Sequence, residues 1–467
     1  MHRGERSDAW TGKHMARSSG PRAKRDSSGD RQIPPIASAT ESLESILARE
    51  KNPLKRFFKA LGPGLVSGAS DDDPSGIGTY AQAGAALGFS ALWTALVTFP
   101  MMWAVQFMCA RIGMVSGTGL AGVLRKHYSG WLLYPVVAGL VIANTINAGV
   151  DIGAIAAAIN LLVPIPAVAM IVPITLILLV LQIWGSYRLI ATTFKWLTFA
   201  LLGYIVAAFF AHPNWSDVLH GTLVPKVSFA RRDLVILVAI LGTTITPYLF
   251  FWQADQEVEE EIAMGRRTLS QRRGATRTEL KYANWDVASG MLFSNVVMYF
   301  IMLTTAATLF KAGKVDIQSA ADAAQALRPV AGDAAYVLLA VGLIGTGFMC
   351  VPILTASAAY ALAEALNWKH GLDQKPRRAR LFYMVIALST LIGMLINFAG
   401  VNPITALVWT AVINGLVAPP ILVVIMLIAN NKSVLGNKVN GRTLNIAGWV
   451  TTAMMFAAAF ALLLTLR

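Results

Sequence analysis

Three consecutive aspartates inside an apolar stretch constrain this chain more than any other feature. They are Asp71–Asp73, followed by Pro74–Gly76, in a segment that is otherwise apolar from about residue 61 to residue 87. One aspartate costs about 3 kcal/mol at the centre of a membrane-spanning helix, so three in a row are not expected in an ordinary span. They are expected where a helix is broken and its freed backbone groups line a polar cavity. The segment therefore predicts a polar site, suited to a cation, inside a membrane.

The composition agrees with a membrane location. Hydrophobic residues make up 55% of the 467 residues and charged residues only 14%, which is typical of a chain that crosses a membrane several times as α-helices. Apolar windows of about 17 to 25 residues predict an all-α protein with eleven spans, which begin near residues 61, 88, 131, 165, 193, 233, 285, 334, 381, 403 and 445.

The distribution of basic residues orients these spans. Most of the 39 Lys and Arg residues lie in the N-terminal tail and in the loops that share its side of the membrane when eleven spans are drawn. This obeys the positive-inside rule, which the inverse orientation would violate. We therefore expect a multi-pass protein of the cell membrane, the inner membrane of a bacterium, with a cytoplasmic N-terminus. The net charge of +14 indicates topology and contact with anionic lipid, not nucleic-acid binding.

The polar and apolar parts of the chain define its domains. Residues 1–55 are basic and rich in Ser, Arg and Gly, and they contain no apolar segment of a signal peptide. We predict a disordered cytoplasmic tail there and one transmembrane domain of about eleven helices over residues 56–467. Cys109 and Cys350 fall within predicted spans without a partner at metal-binding spacing, so we expect them to pack in the core.

A second interruption is predicted in the sixth span, at Leu241–Tyr248. Pro247 removes a backbone donor, and Thr243, Thr244 and Thr246 offer hydroxyls that can bind stranded backbone groups. A proline kink in a packed helix is the simpler explanation for this span taken alone. Together with the aspartates of the first span, the segment favours an inverted-repeat transporter of five plus five helices, with an eleventh helix added.

Four motifs resemble the natural-resistance-associated macrophage proteins (NRAMP), a family of divalent-metal transporters with the leucine-transporter fold. They are Gly62–Gly64 ahead of the aspartates, Cys109–Gly113 in the second span, Asn160–Leu162 at the end of the third and Ala418–Pro420 in the tenth. The likeness extends over about residues 60–430 and is stronger in the first two spans than in the sixth. It implies a leucine-transporter-like fold, in which helices 1 and 6 are broken around a central metal site.

The metal-binding motifs are where the sequence departs from the family. The family's Asp-Pro-Gly-Asn reads Asp-Pro-Ser-Gly here, at Asp73–Gly76, so the carboxylate is kept and the amide is lost. The family's Met-Pro-His-Asn reads Thr-Pro-Tyr-Leu, at Thr246–Leu249, which removes the thioether ligand and the histidine linked to proton transfer. Because no histidine lies well within any predicted span, a histidine-based proton relay is not expected.

These losses leave only oxygen donors at the expected metal site. By resemblance to the family's motifs, the donors are the Asp73 carboxylate, the Thr246 hydroxyl and the backbone carbonyls of Ser70 and Thr243. Gly76 enlarges the site. A soft thioether favours transition metals, whereas Mg²⁺ prefers one or two carboxylates and keeps several waters. The pattern is similar to the NRAMP-related magnesium transporters, a bacterial branch of the family.

Three further carboxylates are candidates for supporting roles. Asp71 and Asp72 cannot both face the site that Asp73 faces, because successive helical residues are about 100° apart. One of them is expected to face an inner vestibule, or else to cap the broken helix or pair with a neighbour. Asp151, in the third span, falls near the family's acidic position on the proton path. It either attracts cations beside the site or is satisfied by a nearby Asn or Thr side chain.

A run of acidic residues follows the sixth span, from Asp255 to Glu261. It could form a vestibule that attracts divalent ions towards the end of the transport path. We favour the simpler interpretation, in which the run is a solvated loop whose charge is balanced by the arginines between residues 266 and 273.

The sequence thus predicts a secondary transporter, not an enzyme, that imports partly hydrated Mg²⁺ by alternating access without proton coupling. The expected partners are the transported divalent ion and the lipid bilayer; no cofactor is expected, and the oligomeric state stays open. A Mn²⁺ or other transition-metal transporter of the same family is one alternative. Another is an ion-coupled transporter of an organic solute on the same scaffold, although the carboxylates of Asp71–Asp73 would repel an anionic substrate. Motifs of hydrolases and of phosphate-binding enzymes are absent from the predicted spans.

Overall fold

The computed structural model of the chain is all-helical over the residues that it describes, which are 62–185, 199–317, 320–328 and 332–465. No strand occurs within these ranges, which confirms the predicted all-α class. The predicted tail over residues 1–55 lies outside the described residues, as does the predicted start of the fifth span near residue 193.

The helices follow one another with short connections. In chain order they are α1 (Pro63–Asp71), α2 (Pro74–Leu87), α3 (Trp93–Ser116), α4 (Leu120–His127), α5 (Gly130–Leu162), α6 (Ala167–Trp184), α7 (Gly203–Phe210), α8 (Trp215–Leu223), α9 (Arg231–Thr244), α10 (Pro247–Ala263), α11 (Leu269–Arg272), α12 (Arg277–Thr305), α13 (Ala320–Gln325), α14 (Ala335–Leu366), α15 (Arg380–Ile396), α16 (Pro403–Ala429), α17 (Lys432–Leu435) and α18 (Arg442–Leu464). Shorter turns are the 3-10 segments Gly88–Ala91, Phe199–Leu202, Gly332–Ala334 and Gly436–Lys438, and the π-helical Ala306–Phe310.

Eight helical segments of the described residues are long and apolar enough to cross a membrane. One of these segments is the α9–α10 pair, and another is α12 with its π-helical turn. Two shorter apolar helices, Ala200–Phe210 and α15, lie at the predicted fifth and ninth spans, and the α1–α2 pair lies at the first. A helix or a pair of helices is therefore present at the place of each predicted span.

Both predicted interruptions occur, and each lies directly before a proline. α1 ends at Asp71 and α2 begins at Pro74, while Asp73 between them is extended, with φ −66° and ψ 167°. α9 ends at Thr244 and α10 begins at Pro247. Because proline has no N–H, it fits the first turn of a helix but cannot continue one. In each break, the carbonyl four residues before the proline therefore has no helical donor.

Small residues let α1 approach α12 backbone to backbone. A Cβ added to Gly68 would lie 2.1 Å from the Gly290 carbonyl oxygen, and one added to Gly64 would lie 2.5 Å from the Val287 nitrogen. No side chain fits at such distances. α9 meets α16 in the same way at Gly242. Close backbone approach at small residues is a common basis of helix association in membranes, and here it fixes the first half of each broken span to one neighbouring helix.

The start of α1 is capped by a side chain from α12. The Asp286 carboxylate accepts hydrogen bonds from the backbone N–H groups of Gly62 at 2.8 Å, Gly64 at 2.6 Å and Leu65 at 3.1 Å. A helix leaves these groups without internal partners, and a carboxylate suits the positive end of the helix dipole. Asp286 therefore stabilises the start of α1.

Candidate metal centre

The two helix breaks meet at Gly76. A Cβ added to Gly76 would lie 3.2 Å from the Thr243 hydroxyl, 3.2 Å from the Asp71 carbonyl oxygen and 3.3 Å from the Asp73 carboxylate. Asp73 is 1% exposed and Thr243 is 2% exposed. The structure thus brings three of the predicted site residues, Asp73, Gly76 and Thr243, to one buried junction between the first and sixth spans.

Asp73 is the N-cap of α2, and its carboxylate is shared between two helices. Oδ1 accepts hydrogen bonds from the Gly76 N–H at 2.6 Å and from the Ser75 hydroxyl at 2.7 Å. Oδ2 accepts a hydrogen bond from the Asn147 amide of α5 at 3.0 Å. An aspartate at this position satisfies a donor that the start of a helix would otherwise leave free. Sequence reasoning did not include Asn147 in the site.

The Ser70 carbonyl, a predicted metal ligand, already has two partners. The Tyr248 hydroxyl donates a hydrogen bond to it at 2.7 Å, and the Cys350 thiol lies 3.2 Å from it. The reason is the break: Pro74 supplies no N–H to this carbonyl, and a buried carbonyl requires a donor from elsewhere. Ser70 can therefore bind an ion through this oxygen only if Tyr248 or Cys350 moves away.

The threonines of the second break differ in their surroundings. The Thr243 hydroxyl lies beside Gly76, and Pro247 supplies no N–H to the Thr243 carbonyl. Thr246 is 1% exposed, and its hydroxyl makes no hydrogen bond within the described residues. It does not cap α10 either, although it occupies the N-cap position. A buried hydroxyl without a partner is costly in a membrane protein, so Thr246 is available to a ligand.

Asp71 and Asp72 both turn towards α12. The Ser294 hydroxyl lies 2.6 Å from Asp71 Oδ2 and 3.2 Å from Asp72 Oδ1. The second oxygen of each carboxylate, Asp71 Oδ1 and Asp72 Oδ2, is buried without a hydrogen-bond partner in the described residues. Both carboxylates therefore share one neighbour on α12, as in the alternative that they pair with a neighbouring group. No sequence signal pointed to Ser294.

Asp151 lies on the face of α5 that is turned towards the start of α2. Asn147 is one helical turn before it and binds Asp73, whereas Ile155 is one turn after it and lies with Pro74 around Gly347. Both carboxylate oxygens of Asp151 are buried without a hydrogen-bond partner among the described residues. The structure therefore does not place a neighbouring Asn or Thr on this carboxylate.

Comparison with known proteins shows the family. The sequence profile described as "Natural resistance-associated macrophage protein-like" (Nramp) matches residues 64–465, most of the chain. The chain belongs to the Nramp family. It is therefore a multi-pass membrane transporter of divalent metal ions and not an enzyme.

Solved structures show the fold of this Nramp chain. The manganese transporter of Eremococcus coleocola, in complex with an aromatic bis-isothiourea substituted compound, matches with a TM-score of 0.69 at 20% identity, over 92% of this chain and 89% of that chain. MhsT in complex with L-phenylalanine matches with a TM-score of 0.55 at 14% identity, over 85% and 98% of the two chains. Mhp1, a nucleobase-cation-symport-1 family transporter, matches with a TM-score of 0.52 at 14% identity, over 87% of this chain and 90% of that chain. The leucine-transporter-like plan with two broken helices is thereby confirmed.

The donors at the junction of this Nramp protein are mainly oxygens. Within the described residues, no group of three or more His, Cys, Asp or Glu side chains is placed to hold one metal ion. Asp73 with neutral hydroxyl and carbonyl oxygens forms a set that suits hard cations. The exception is the Cys350 thiol beside the Ser70 carbonyl, which sequence reasoning assigned to packing alone.

Two cavities lie at opposite ends of the α9–α10 span. The first, the Gln82 cavity, has a volume of about 510 Å³ and is lined by the start of α9. The second, the Glu364 cavity, has a volume of about 790 Å³ and is lined by the second half of α10. Asp73 lines neither. The junction residues Asp73 and Thr243 are thus buried apart from both cavities.

A polar contact joins two segments at each cavity. At the Gln82 cavity, Arg232 of α9 pairs with Asp316 at 2.9 Å on the exposed surface. At the Glu364 cavity, the Tyr360 hydroxyl of α14 donates a hydrogen bond to Glu259 of α10 at 2.8 Å.

The acidic run after the sixth span belongs to α10, so the expectation of a solvated loop is wrong. Asp255, Glu257 and Glu261 are at most 5% exposed. Arg266 pairs with Glu261 at 3.3 Å and also with Glu279 of α12. These three side chains are buried because α10 continues through the run and packs against α3 and α14.

Proposed function

We propose that this Nramp protein imports Mg²⁺ in partly hydrated form by alternating access, without proton coupling. The observation that supports this most is the set of oxygens around Gly76, where the Thr243 hydroxyl and the Asp73 carboxylate lie 3.2 and 3.3 Å from the position of an added Cβ. A larger side chain would fill this point. Because the gap is only about the size of a methyl group, the two breaks must move apart for an ion with its waters to enter. Mg²⁺ releases water reluctantly and typically binds one or two carboxylates while keeping several waters.

Unpaired polar groups around the junction support a hydrated ion. The Thr246 hydroxyl and both Asp151 carboxylate oxygens are buried without hydrogen-bond partners in the described residues. Buried polar groups are costly unless paired, and ordered water is a common partner. In this proposal Asp73 binds the ion directly, and waters on the ion donate hydrogen bonds to Asp151 and Thr246.

The absence of proton coupling is proposed from the residue at the family's histidine position. That residue is Tyr248, whose hydroxyl is engaged with the Ser70 carbonyl, and a phenol keeps its proton near neutral pH. The histidines of the chain lie at 2, 14, 127, 212, 220 and 370, outside the long apolar segments of the described residues. Among the histidines of the described residues, none is thus placed to take up a proton beside the ion.

The orientation follows from charge. Basic loops at residues 266–281 and 369–380 lie at the Glu364 cavity end of the molecule. By the positive-inside rule, we place this end in the cytoplasm and the Gln82 cavity outside, in a bacterial inner membrane.

Uptake into proteoliposomes tests the proposal. The purified protein is reconstituted, Mg²⁺ or Mn²⁺ is added outside, and an internal dye reports pH. We expect saturable Mg²⁺ entry without internal acidification. Mn²⁺ entry with Mg²⁺ excluded would contradict the choice of ion, and acidification in step with ion entry would contradict uncoupled transport.

A double replacement tests whether the two positions that differ from the family motif determine which ion is transported. Gly76→Asn with Thr246→Met restores the ligand types of the family motif. We expect the ratio of Mn²⁺ to Mg²⁺ uptake to rise on the order of tenfold, equivalent to about 1.4 kcal/mol of differential binding. An unchanged ratio in a variant that still transports would show that these positions do not contact the ion.

A transition-metal substrate is the second candidate, favoured by the position of Cys350. Its thiol lies 3.2 Å from the Ser70 carbonyl oxygen, and sulfur is a soft ligand. The matched Eremococcus coleocola protein is described as a manganese transporter. If the substrate is a transition metal, Cys350→Ser should weaken Mn²⁺ uptake severalfold. If it is Mg²⁺, the variant should leave the relative uptake of the two ions unchanged.

An organic substrate has less support. The fold does not select the substrate, because MhsT was solved with L-phenylalanine and Mhp1 with bromovinylhydantoin. In this chain Asp71, Asp72 and Asp73 lie at the break, each at most 1% exposed. Buried carboxylates would repel a substrate carboxylate, because like charges brought together at a binding site cost several kcal/mol.

A further inference from the structure

The Glu364 cavity contains two sets of charged side chains, one acidic and one basic, and a path for a bare cation explains only the acidic one. Its volume of about 790 Å³ falls in the range of small-molecule sites. Its walls come from α4, α10, α11, the end of α14 and the loop before α15. One part of the lining is acidic and another part is basic.

The acidic part is a pair of carboxylates at the start of α4. A Cβ added to Gly119 would lie 1.9 Å from Asp255 Oδ1 and 2.6 Å from Glu364 Oε2, so both carboxylates meet at this point. Glu364 accepts hydrogen bonds from the N–H groups of Gly119 at 2.7 Å and Gly122 at 2.8 Å. Asp255 is 2% exposed, and its Oδ2 has no hydrogen-bond partner in the described residues. Among the described residues, no basic side chain forms an ion pair with Asp255 or Glu364.

The basic part lies further along the same wall. Its members are Arg125, Lys126, Arg272, Lys369, Arg377 and Arg378. Within the described residues, Arg232 and Arg266 form the ion pairs and none of these six does. Arg125 Nε is buried without a hydrogen-bond partner among the described residues. Burial lowers the pKa of Lys126, and the neighbouring charge of Arg273 lowers it further, whereas Glu364 raises it.

One kind of ligand matches both parts. A bare cation would be repelled by the basic side chains, and a bare anion would be repelled by Asp255 and Glu364. From Gly119 to Arg125 the chain rises about 9 Å along α4, so a single extended ligand can reach both. Mg²⁺ is commonly held between one or two carboxylates and the phosphates of a ligand, while arginine suits phosphate oxygens through paired hydrogen bonds.

We propose that the Glu364 cavity binds a phosphate-bearing anion together with a divalent cation. The cation lies on Asp255 and Glu364, and the phosphates lie on Arg125, Lys126 and the Arg377–Arg378 pair. The ligand is either a soluble nucleoside polyphosphate or the phosphate headgroup of a lipid, which present the same chemistry.

Binding there has a consequence for transport. Asp255 belongs to α10, the second half of the broken sixth span, whereas Glu364 belongs to α14 and Arg125 to α4. A ligand that contacts all three joins α10 to its neighbours, as the Tyr360–Glu259 contact does. The bound ligand would therefore hold this end closed and slow transport when the ligand is abundant on that side.

Calorimetric titration of the full-length protein with ATP tests the proposal. The protein is kept in a neutral detergent, and each titration is run with Mg²⁺ and with a chelator. We expect ATP to bind more tightly with Mg²⁺. Arg377→Ala with Arg378→Ala should weaken binding about tenfold or more through the loss of charge-assisted hydrogen bonds. Asp255→Asn should remove the Mg²⁺ dependence while ATP still binds.

A matched control distinguishes ATP binding in the Glu364 cavity from nonspecific attraction of ATP to a basic protein. Lys432→Ala with Arg442→Ala removes two exposed basic residues outside the cavity and should leave ATP affinity unchanged. A melting curve for each variant shows that it is folded. Equal ATP affinity in a folded Arg377→Ala, Arg378→Ala variant and the unchanged protein would overturn the proposal.

A second arm distinguishes the two sources of phosphate. The titration is repeated in phosphatidylcholine nanodiscs with and without phosphatidic acid. Loss of ATP binding in the presence of phosphatidic acid, in the unchanged protein and in the Lys432→Ala, Arg442→Ala control alike, assigns the site to lipid headgroups. Unchanged ATP binding assigns it to soluble anions. If the unchanged protein binds neither ATP nor, in a lipid-binding assay, phosphatidic acid, the proposal is wrong.

Discussion

Each of the two helix breaks is followed by a proline, but the breaks differ in the hydrogen bonds made by their polar groups. At the first break, Asp73 accepts three hydrogen bonds and the Ser70 carbonyl has two partners. At the second, the Thr246 hydroxyl is buried without a partner, and no side chain caps α10. An ion arriving at the junction must therefore displace partners at the first break, whereas it supplies a missing partner at the second.

Removing the charge at the first break should have the largest effect. Asp73→Asn keeps the side chain's size but removes the anion that directly binds the cation. We expect uptake of every divalent ion to fall to the level of empty liposomes, since a cation buried without a counter-charge is strongly disfavoured.

The control for Asp73→Asn is Glu260→Gln, which neutralises an exposed carboxylate on α10 and should leave uptake unchanged. Substantial uptake by a folded Asp73→Asn variant would show that the ion binds elsewhere, with Asp71, Asp72 or Asp151 as the next sites to test.

Releasing the Ser70 carbonyl should have an intermediate effect of the opposite sign. Tyr248→Phe removes the hydroxyl that an ion would have to displace, so the KM for the ion should fall by about three- to tenfold. The ion-free protein should lose about 1–3 kcal/mol of stability, because a buried carbonyl loses a donor. Uptake kinetics and melting curves without ion measure the two effects.

The matched control is Tyr204→Phe. The Tyr204 hydroxyl is buried without a hydrogen-bond partner in the described residues, so its removal should change neither the KM nor the melting temperature. A higher KM in Tyr248→Phe would mean that the phenol helps to bind the ion, and that the first break is not the one at which partners are displaced.

The smallest effect is expected at the second break. Thr246→Val removes a hydroxyl that has no hydrogen-bond partner among the described residues, and a water on the ion can take its place. We expect the KM for Mg²⁺ to rise by about two- to fivefold, the value of one modest hydrogen bond, with no loss of stability in the absence of ion.

Thr244→Val is the corresponding control. The Thr244 hydroxyl donates a hydrogen bond to the Ile240 carbonyl at 2.8 Å and does not lie at the junction. The comparison between the breaks fails if Thr246→Val destabilises the ion-free protein as strongly as Tyr248→Phe does.

The positions of both breaks could be predicted from local chemistry. Pro74 and Pro247 each end a helix, and the aspartates beside the first have no place in an uninterrupted span. These effects act within a few residues, so sequence alone was sufficient for the break positions and for the all-α class.

The partners at the junction could not be predicted in the same way. Tyr248 and Ser70 are 178 positions apart, and their contact depends on the angle at which two half-helices meet. The shared contact of Asp71 and Asp72 with Ser294 depends equally on packing against α12. For Asn147 a signal existed, since it is one turn before Asp151 on the same helix face.

The acidic run was misjudged for a related reason. Its charge density favoured a solvated loop, but the burial of Asp255, Glu257 and Glu261 is decided by the packing of α10 against other helices. Charge composition describes what a segment prefers in water, and tertiary contacts can override it when each charged group finds a partner or a ligand.

The cap at the start of α1 has a mechanical consequence. Asp286 holds three N–H groups of α1, and Gly68 lies against the backbone of Gly290 on the same partner helix. If α1 swings when the ion is released, it cannot swing alone without breaking that cap. α1 and α12 should then move as one rigid unit, with the non-helical residues Asp72 and Asp73 as the hinge. A spin label on either helix would report the same displacement.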